Sequence, residues 1–409
     1  MGTSMDSDFR ENPHGWRTIG GATLLEQVLL GYYCSNTGNK GETWYSRNLG
    51  GIRLLHHGKS FYLEQDSGGK DVTTLQTELI SICVPVYNGE HFLEESLRSI
   101  MTQTYDRIEI IVSDNCSSDA TAEIVRHLRM EDERIRYSRN ESNIGYSRNV
   151  MQAVRRSRGE YVAIYHADDV YDPGIVRAEY EVLKSHPEVG GVFSLLTEFT
   201  ERPELGRMPK VYRDLQKTRL FDRETNTIEG DFPDFARLLG RNGNFFACPS
   251  FMTRRRLYMS IGGFTDKYPT NEDLELWLKY LQLGWRLSII NQPLLHYRRT
   301  DFQVSALVRM TPKLNNMFSV LEDIVINAGV LGRYSQNAFL RMKAHQLRLE
   351  ADKAHQIGKR RIATNLMSEA ERCLPPRLYS RIIYRFPISY FLYRQIRRAA
   401  KRLLLRLGV

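Results

Sequence analysis

An α/β fold, with a mostly parallel sheet flanked by helices, is predicted from three observations on residues 78–305. Short apolar runs, Ile80-Ser-Ile-Cys-Val84, Ile108-Glu-Ile-Ile-Val112 and Tyr161-Val-Ala-Ile-Tyr165, have the length and composition of buried strands. Helical spacings lie between them: Phe92, Leu93, Leu97, Ile100 and Met101 after the first, and Ala122, Ile124, Val125 and Leu128 after the second. Strand–helix alternation means parallel strands buried on both faces. Each run then stops at polar or turn-forming residues: Pro85-Val-Tyr-Asn-Gly89, Asp114-Asn-Cys-Ser-Ser-Asp119 and His166-Ala-Asp-Asp169. Ligands of such sheets sit outside the carboxyl ends of the strands, where these stations collect.

In chain order, residues 1–77 form an N-terminal extension with a hairpin-like run, Ile52 to Leu63, and a polar linker, Glu64 to Thr74. His56-His57 is no metal pair, because neighbouring strand residues face opposite sides. Residues 306–373 add a helical region. Leu340, Ala344, Leu347, Ala351 and Ala354 precede Gly358, and Ala363, Leu366, Met367 and Ala370 follow it, a pattern that predicts a closely packed helical hairpin ended by Pro375-Pro376. Residues 374–409 contain no Asp or Glu and nine Arg or Lys, a number equal to the whole formal net charge of +9. Basicity is therefore local to this tail.

Apolar content of 42% and charged content of 26% place the chain with globular proteins and exclude disordered or fibrous classes. No apolar run approaches the roughly 20 residues of a spanning helix, and the acidic start, Met1 to Asp8, leads into no signal-peptide core. Five scattered cysteines without a CxxC pair argue for a reducing compartment and against a structural zinc. The expectation is a cytoplasmic protein. In the tail, Leu392, Ile396, Ala399, Ala400, Leu403 and Leu407 share one helical face and Arg394, Arg397, Arg398 and Lys401 the other, with Leu405 out of pattern. Such a basic amphipathic helix suits a membrane surface, or docks its apolar face on the domain. No nucleic-acid recognition motif accompanies the charge.

The polar stations carry the chemistry. Asp114 closes a strand rather than caps a helix, unlike Ser118 or Asp119, which are placed to cap with Glu123 four or five residues on. An acceptor-only carboxylate there suits a ribose hydroxyl or a base N–H. Asp168 and Asp169 are like charges at a strand end, which hard divalent ions such as Mg²⁺ or Mn²⁺ would compensate. His166 reads either as a further ligand or as a packed strand-end residue. Glu272-Asp273 opens a helix whose stripe is Leu274, Trp277, Leu278 and Leu281. The helix dipole alone favours acids there. A partly desolvated carboxylate at a cleft rim is equally a general base.

Together these residues resemble the family-2 glycosyltransferases of the GT-A fold, over about residues 78–305. Val84-Pro-Val-Tyr-Asn88 with Ser99 and Gln103 is similar to the family's opening strand and helix. Val112 to Asp119 is similar to its Asp-Asp-Gly-Ser-Thr-Asp station, Asn143-Ile-Gly-Tyr-Ser-Arg-Asn149 to its Asn-x-Gly-x-x-Arg-Asn segment, and His166 to Asp169 to its Asp-x-Asp position. Glu272-Asp273 matches the Glu-Asp position, and Tyr297 to Thr300 the closing Tyr-Arg-x-His. The resemblance implies that Pro85, Tyr87, Asp114, Arg148 and Asp169 bind the nucleotide sugar, that Asp168 holds Mg²⁺ or Mn²⁺, and that Asp273 is the catalytic base. It implies inverting transfer of a single sugar from a nucleoside-diphosphate sugar to a glycan or lipid-linked acceptor in surface polysaccharide biosynthesis; the basic tail would place that work at the inner face of the cell membrane. Arg254 to Arg256 face an acceptor pyrophosphate in this picture, or form a solvated run. Asn115, His166 and Thr300 depart from the pattern. These departures leave open a catalytically impaired, membrane-associated binding relative. A nucleotidyltransferase is a further alternative, against which stands the lack of a Gly-rich basic loop after the first strand.

Overall fold

The computed structural model describes residues 76–300, 317–326 and 333–373, and the backbone of six short strands between residues 9 and 65. Those strands, β1 (Phe9–Glu11), β2 (Arg17–Ile19), β3 (Tyr33–Ser35), β4 (Trp44–Asn48), β5 (Ile52–His57) and β6 (Ser60–Gln65), pair antiparallel with their sequence neighbours. The hairpin-like run is the β5–β6 pair, with His57 opposite Ser60. The basic tail, residues 374–409, lies outside the described residues.

The apolar runs become strands longer than their hydrophobic cores. In chain order come β7 (Gln76–Val86), α1 (Leu93–Met101), β8 (Ile108–Asp114), α2 (Thr121–Glu131), β9 (Ile135–Arg139), α3 (Tyr146–Arg156), β10 (Gly159–Ile164), β11 (Val170–Tyr171), α4 (Ile175–Ser185) and β12 (Val189–Phe199). β10, β7, β8 and β9 lie side by side and parallel. All seven residues of β8 are buried, as a central parallel strand covered on both faces requires. The helices bury the predicted stripes: Leu93, Leu97 and Ile100 of α1, and Val125 and Leu128 of α2.

The chain divides into two compact units. The first holds the sheet through Ser194, together with Cys248–Gly263 and Trp285–Leu295. The second takes Leu195–Ala247, Phe264–Gly284 and the segments from His296 onward. It contains α5 (Lys210–Leu215), the antiparallel pair β13 (Phe221–Asp222) and β14 (Thr227–Gly230), and α6 (Phe232–Asn242). The first unit then receives β15 (Phe251–Arg254), antiparallel to β10 and β12, and α7 (Arg255–Ile261). The second resumes with α8 (Glu272–Gln282). Strand β16 (Arg286–Arg298) runs from one unit's residues into the other's. α9 (Met317–Leu321), α10 (Arg333–Gln356) and α11 (Arg360–Cys373) follow. Leu347, Ala351 and Ala354 of α10 pack on Ala363, Leu366, Met367 and Ala370 of α11. Gly358 permits the turn between them because its φ is +76°, a left-handed conformation that costs a Cβ-bearing residue energy. The predicted helical hairpin is present.

A single buried carboxylate stitches the four parallel strands near their amino ends. Glu109 on β8 accepts from Ser81 Oγ on β7 at 2.6 Å, from the Arg158 N–H beside β10 at 2.6 Å and from Arg136 Nη1 on β9 at 2.8 Å. Ser81 Oγ in turn accepts the Gly159 N–H at 2.9 Å. Burial alone would raise the carboxyl pKa, but these donors outweigh it and hold the group below the ordinary carboxylate range. Glu109→Gln is expected to cost about 2–4 kcal/mol of unfolding free energy, since one acceptor oxygen becomes a donor facing guanidinium groups. Because the folded-state pKa is depressed, this contribution is complete above about pH 4.5 and lost as pH falls through the folded value. Urea titrations of both proteins at several pH values test this: the stability gap should narrow on acidification.

Candidate active site

At the carboxyl ends of β7 and β8 two tight turns interlock. Asn88 and Cys116 both take left-handed backbone conformations, with φ of +51° and +68°. The Asn88 N–H donates to Ser117 Oγ at 2.9 Å, and the Ser118 N–H to Asn88 Oδ1 at 2.9 Å. Tyr87 stands 53% exposed on this edge, an aromatic face of the kind that stacks on a nucleobase. Asp114 has no exposed surface. Its Oδ1 accepts the Ser117 N–H at 2.8 Å and its Oδ2 accepts the Tyr137 hydroxyl at 2.6 Å, with Arg139 Nε 3.7 Å away. The resemblance puts Asp114 in contact with the nucleotide; in the structure each of its oxygens already accepts one hydrogen bond from the turn or from Tyr137.

Asn115, one of the departures from the family pattern, sits in an amide network that a carboxylate could not complete. Its Nδ2 donates to Asn143 Oδ1 at 2.8 Å, while its Oδ1 accepts from Asn140 Nδ2 at 3.2 Å and the Ile144 N–H at 2.9 Å. Asn149 closes the set, accepting from Asn140 Nδ2 and Ser113 Oγ and donating to the Ser113 carbonyl. The Asn143-to-Asn149 segment is thereby fastened to the end of β8. Arg148, beside Asn149 in that segment, is exposed.

After β10, the side chains of His166, Asp168 and Asp169 bring ligand atoms within 4.8 Å of one another. His166 and Asp168 are half-buried and Asp169 is fully buried. The His166 backbone is held on both sides: its N–H donates to the Tyr171 hydroxyl at 2.6 Å, and its carbonyl accepts from Ser96 Oγ at 3.0 Å and Tyr171 Oη at 3.2 Å. Tyr171 stacks on Tyr165, ring centres 4.2 Å apart, and Tyr165 donates to the buried Glu179 at 2.8 Å. Burial keeps the Glu179 carboxyl well above its usual pKa. Desolvation also lowers the His166 pKa, against the pull of Asp168, favouring the neutral imidazole that a metal requires. One nitrogen and two carboxylate donors fit a divalent first-row ion.

In the second unit, Asp273 lies in the first turn of α8, half-buried. Its Oδ1 accepts the Leu274 N–H at 2.7 Å and its Oδ2 accepts Asn244 Nδ2 at 3.2 Å. Desolvation dominates these bonds and pushes its pKa up to about 6. Burial, joined by the neighbouring Asp273 charge, pushes Glu272 up to about 7. Thr270, just before the helix, has a φ of +71°, a strained conformation for a β-branched residue and one that clusters at functional sites.

Residues 81–261 match the family model for glycosyl transferase family 2. That segment is a glycosyl transferase family 2 domain. An uncharacterized glycosyltransferase of Methanocaldococcus jannaschii is 26% identical over 231 residues, covering 56% of this chain and 73% of that protein. TuaG of Bacillus subtilis, which bears the name of a teichuronic acid biosynthesis glycosyltransferase, is 25% identical over 228 residues, covering 56% of this chain and 82% of its own. The crystal structure of S. aureus TarS 1–349 in complex with UDP superposes with a TM-score of 0.50 at 16% identity, over 73% of this chain and 81% of that one. The shared fold is the GT-A fold, and it confirms the predicted mostly parallel sheet with C-terminal helices.

Within the family-2 domain two expectations are corrected. Helix α2 starts at Thr121, after Ala120, rather than at Ser118 or Asp119. Asp119 instead bridges turns, accepting the Thr121 N–H and hydroxyl on Oδ1 and the Glu90 N–H on Oδ2. Arg254 and Arg255 are not turned to an acceptor. Arg254 donates to the carbonyls of Val189 and Leu183 at 2.6 Å each, and Arg255 to Val154 O and Ser157 Oγ. Arg256 is exposed. Ser99 and Gln103 brace the loop after His166: Ser99 Oγ accepts the Tyr171 N–H, and Gln103 bonds Asp172 O and the Val176 N–H. Tyr146, Tyr171 and Asn244 carry no signal in the sequence, because their partners lie 20, 5 and 29 residues away and share no pattern with them. Asn115→Asp, which restores the family's commoner residue, is expected to lower stability by about 1–3 kcal/mol, since two carbonyl-type oxygens would face each other at Asn143. Differential scanning calorimetry of the variant checks it.

Proposed function

We propose that this glycosyltransferase moves a single sugar from a nucleoside-diphosphate sugar to a glycan or lipid-linked acceptor, with inversion, in polysaccharide biosynthesis. The observation that carries the proposal is the His166, Asp168 and Asp169 cluster at the carboxyl end of β10 in a family-2 domain. The UDP bound to TarS supports the donor class, and teichuronic acid biosynthesis in the name of TuaG supports a role in polysaccharide biosynthesis.

In this reading Tyr87 stacks on the base, with Pro85 beside it, while Asp114, which also holds the Ser117 N–H, binds the base or ribose. Arg148 reaches toward the diphosphate. Asp168 holds Mg²⁺ or Mn²⁺, with Asp169 completing the site toward the donor. A divalent ion bound there supplies Lewis-acid neutralisation of charge on the leaving diphosphate. Asp273 removes the proton of the acceptor hydroxyl as that oxygen bonds to the anomeric carbon. The bond from that carbon to the diphosphate oxygen breaks on the opposite face, its electron pair leaving with the nucleoside diphosphate. A carboxylate with a pKa of about 6 is ionised at neutral pH, yet basic enough to accept a proton in the transition state.

No helix among the described residues is long and apolar enough to cross a membrane. The basic tail, with its amphipathic spacing, supports docking at an anionic lipid surface on the cytoplasmic side. Asp273→Asn is expected to lower kcat by about 10²- to 10⁴-fold with little change in KM for the donor. The wild-type kcat/KM profile should rise with pH through an apparent pKa of about 6, and the residual activity of the variant should lack that limb. Retention of full transfer by the variant removes Asp273 from the mechanism. Failure of the wild type to transfer or hydrolyse any nucleotide sugar removes the donor class.

A further inference from the structure

We infer that His166 is itself a ligand of the divalent ion through Nδ1, that Tyr146 sets this by receiving the proton on Nε2, and that the resulting nitrogen-containing site prefers Mn²⁺ to Mg²⁺. The inference rests on the divalent-ion site proposed above and goes beyond it in assigning the donor atom, its orienting partner and the metal's identity.

Both ring nitrogens of His166 have distinct surroundings. Nε2 lies 2.9 Å from the Tyr146 hydroxyl, a hydrogen-bond distance. Nδ1 lies 4.0 Å from Asp169 Oδ2. That separation is too long for a hydrogen bond. It lies within the span open to two ligands of one small ion, since bonds of about 2.1 Å allow ligand atoms to stand at most roughly 4.2 Å apart. A neutral imidazole carries one proton, and its position decides which nitrogen can coordinate. With the proton on Nε2 and donated to the tyrosine oxygen, the Nδ1 lone pair is left toward Asp169 and Asp168. Histidine ligands are commonly fixed in this way by a partner on the far nitrogen.

The ring is held in this position from several sides. Tyr146 lies edge-on to it, with centroids 5.8 Å apart and planes at 80°. The bonds from Tyr171 and Ser96 pin the His166 backbone. Tyr146 begins α3, whose other end-group contacts, through Asn149 and Asn143, anchor the helix start to β8. The hydroxyl therefore approaches from a fixed direction. An imidazole in place of a carboxylate also removes one negative charge from the ligand set. Mg²⁺, the harder ion and the one that demands near-ideal octahedral oxygen geometry, loses most by that exchange, whereas Mn²⁺, a first-row transition ion, loses less.

The test uses the full chain with Mn²⁺ as the probe, alone and with UDP or GDP added. Free Mn²⁺ is counted by electron paramagnetic resonance, Mg²⁺ competes, and the bound ion is examined by electron spin-echo envelope modulation. The wild type should show ¹⁴N modulation and bind Mn²⁺ at least tenfold more tightly than Mg²⁺. His166→Ala should lose the modulation and weaken Mn²⁺ at least tenfold while changing Mg²⁺ less. Tyr146→Phe should keep the modulation but bind Mn²⁺ about tenfold more weakly. Saturable Mn²⁺ binding without ¹⁴N modulation in the wild type overturns the assignment of His166 and leaves the ion site standing. The same modulation in His166→Ala, or an unaltered Mn²⁺ affinity in Tyr146→Phe, overturns the assigned ligand or its orienting partner respectively. No saturable binding with either nucleotide overturns the ion site together with this inference. The wild-type spectrum depends on no variant's folding.

Discussion

The Glu109 clamp is the interaction on which the rest of the sheet depends. Parallel strands give no hairpin turns to set their register, so something else must hold them level. Here one buried carboxylate reaches β7, β9 and the start of β10 from its own strand, and a serine hydroxyl relays the contact to Gly159. Gly159 can occupy that place because a Cβ would come within 2.6 Å of the Leu79 carbonyl. With the amino ends level, Val86, Asp114 and Arg139 fall opposite one another in continuous register at the other edge. The Asn115 N–H then bonds Val86 O and the Asn140 N–H bonds Asp114 O, both at 2.8 Å. The turns that carry the polar stations are thus extensions of the strand ladder rather than loose loops.

That continuity explains what is legible in the sequence and what is not. Periodicity reports burial, so the strands around Ile82, Ile110 and Val162, the stripes of the helices and the helical hairpin about Gly358 can be read from it. Station composition is legible too, because carboxylates ending apolar strands need compensation. Partner identity is not. Asp114 and Asp119 carry the same functional group five residues apart, yet Asp114 turns inward to Tyr137 and Asp119 ties Glu90 to Thr121. Arg254 and Arg255 look like part of a solvent-facing run, but adjacent carbonyls left open at strand and helix ends capture them. Long side chains with several donors find such carbonyls only once the backbone is in place, and no spacing rule anticipates it.

Glu109 and Asp273 differ in the donors around them. Glu109 is buried and yet more acidic than usual, because hydroxyl, amide and guanidinium donors meet it from three strands. Asp273 is only half-buried and yet less acidic, because one backbone N–H and one side-chain amide do not offset its desolvation. Burial alone predicts the direction for Asp273 but not for Glu109. What separates a structural anion from a reactive one is the number of donors that remain when water is gone.

The two settings oppose each other in their effect on stability. Glu109 favours the folded state above its depressed pKa and ceases to do so in acid. Glu272 and Asp273, with folded-state values of about 7 and about 6, behave in reverse. Their protonated forms suit the fold, so their contribution is complete below the ordinary carboxylate pKa of about 4 and disappears as pH rises through those folded-state values. Around neutrality the second unit therefore holds an ionised Asp273 and a Glu272 that is only about half ionised, both poorly solvated at the start of α8 beside a strained Thr270, and the ionised forms destabilise the native state. A helix N-terminus offsets part of that destabilisation through its dipole. What remains is consistent with a carboxylate kept basic for proton transfer, since adding donors would stabilise the fold and weaken the base in the same step.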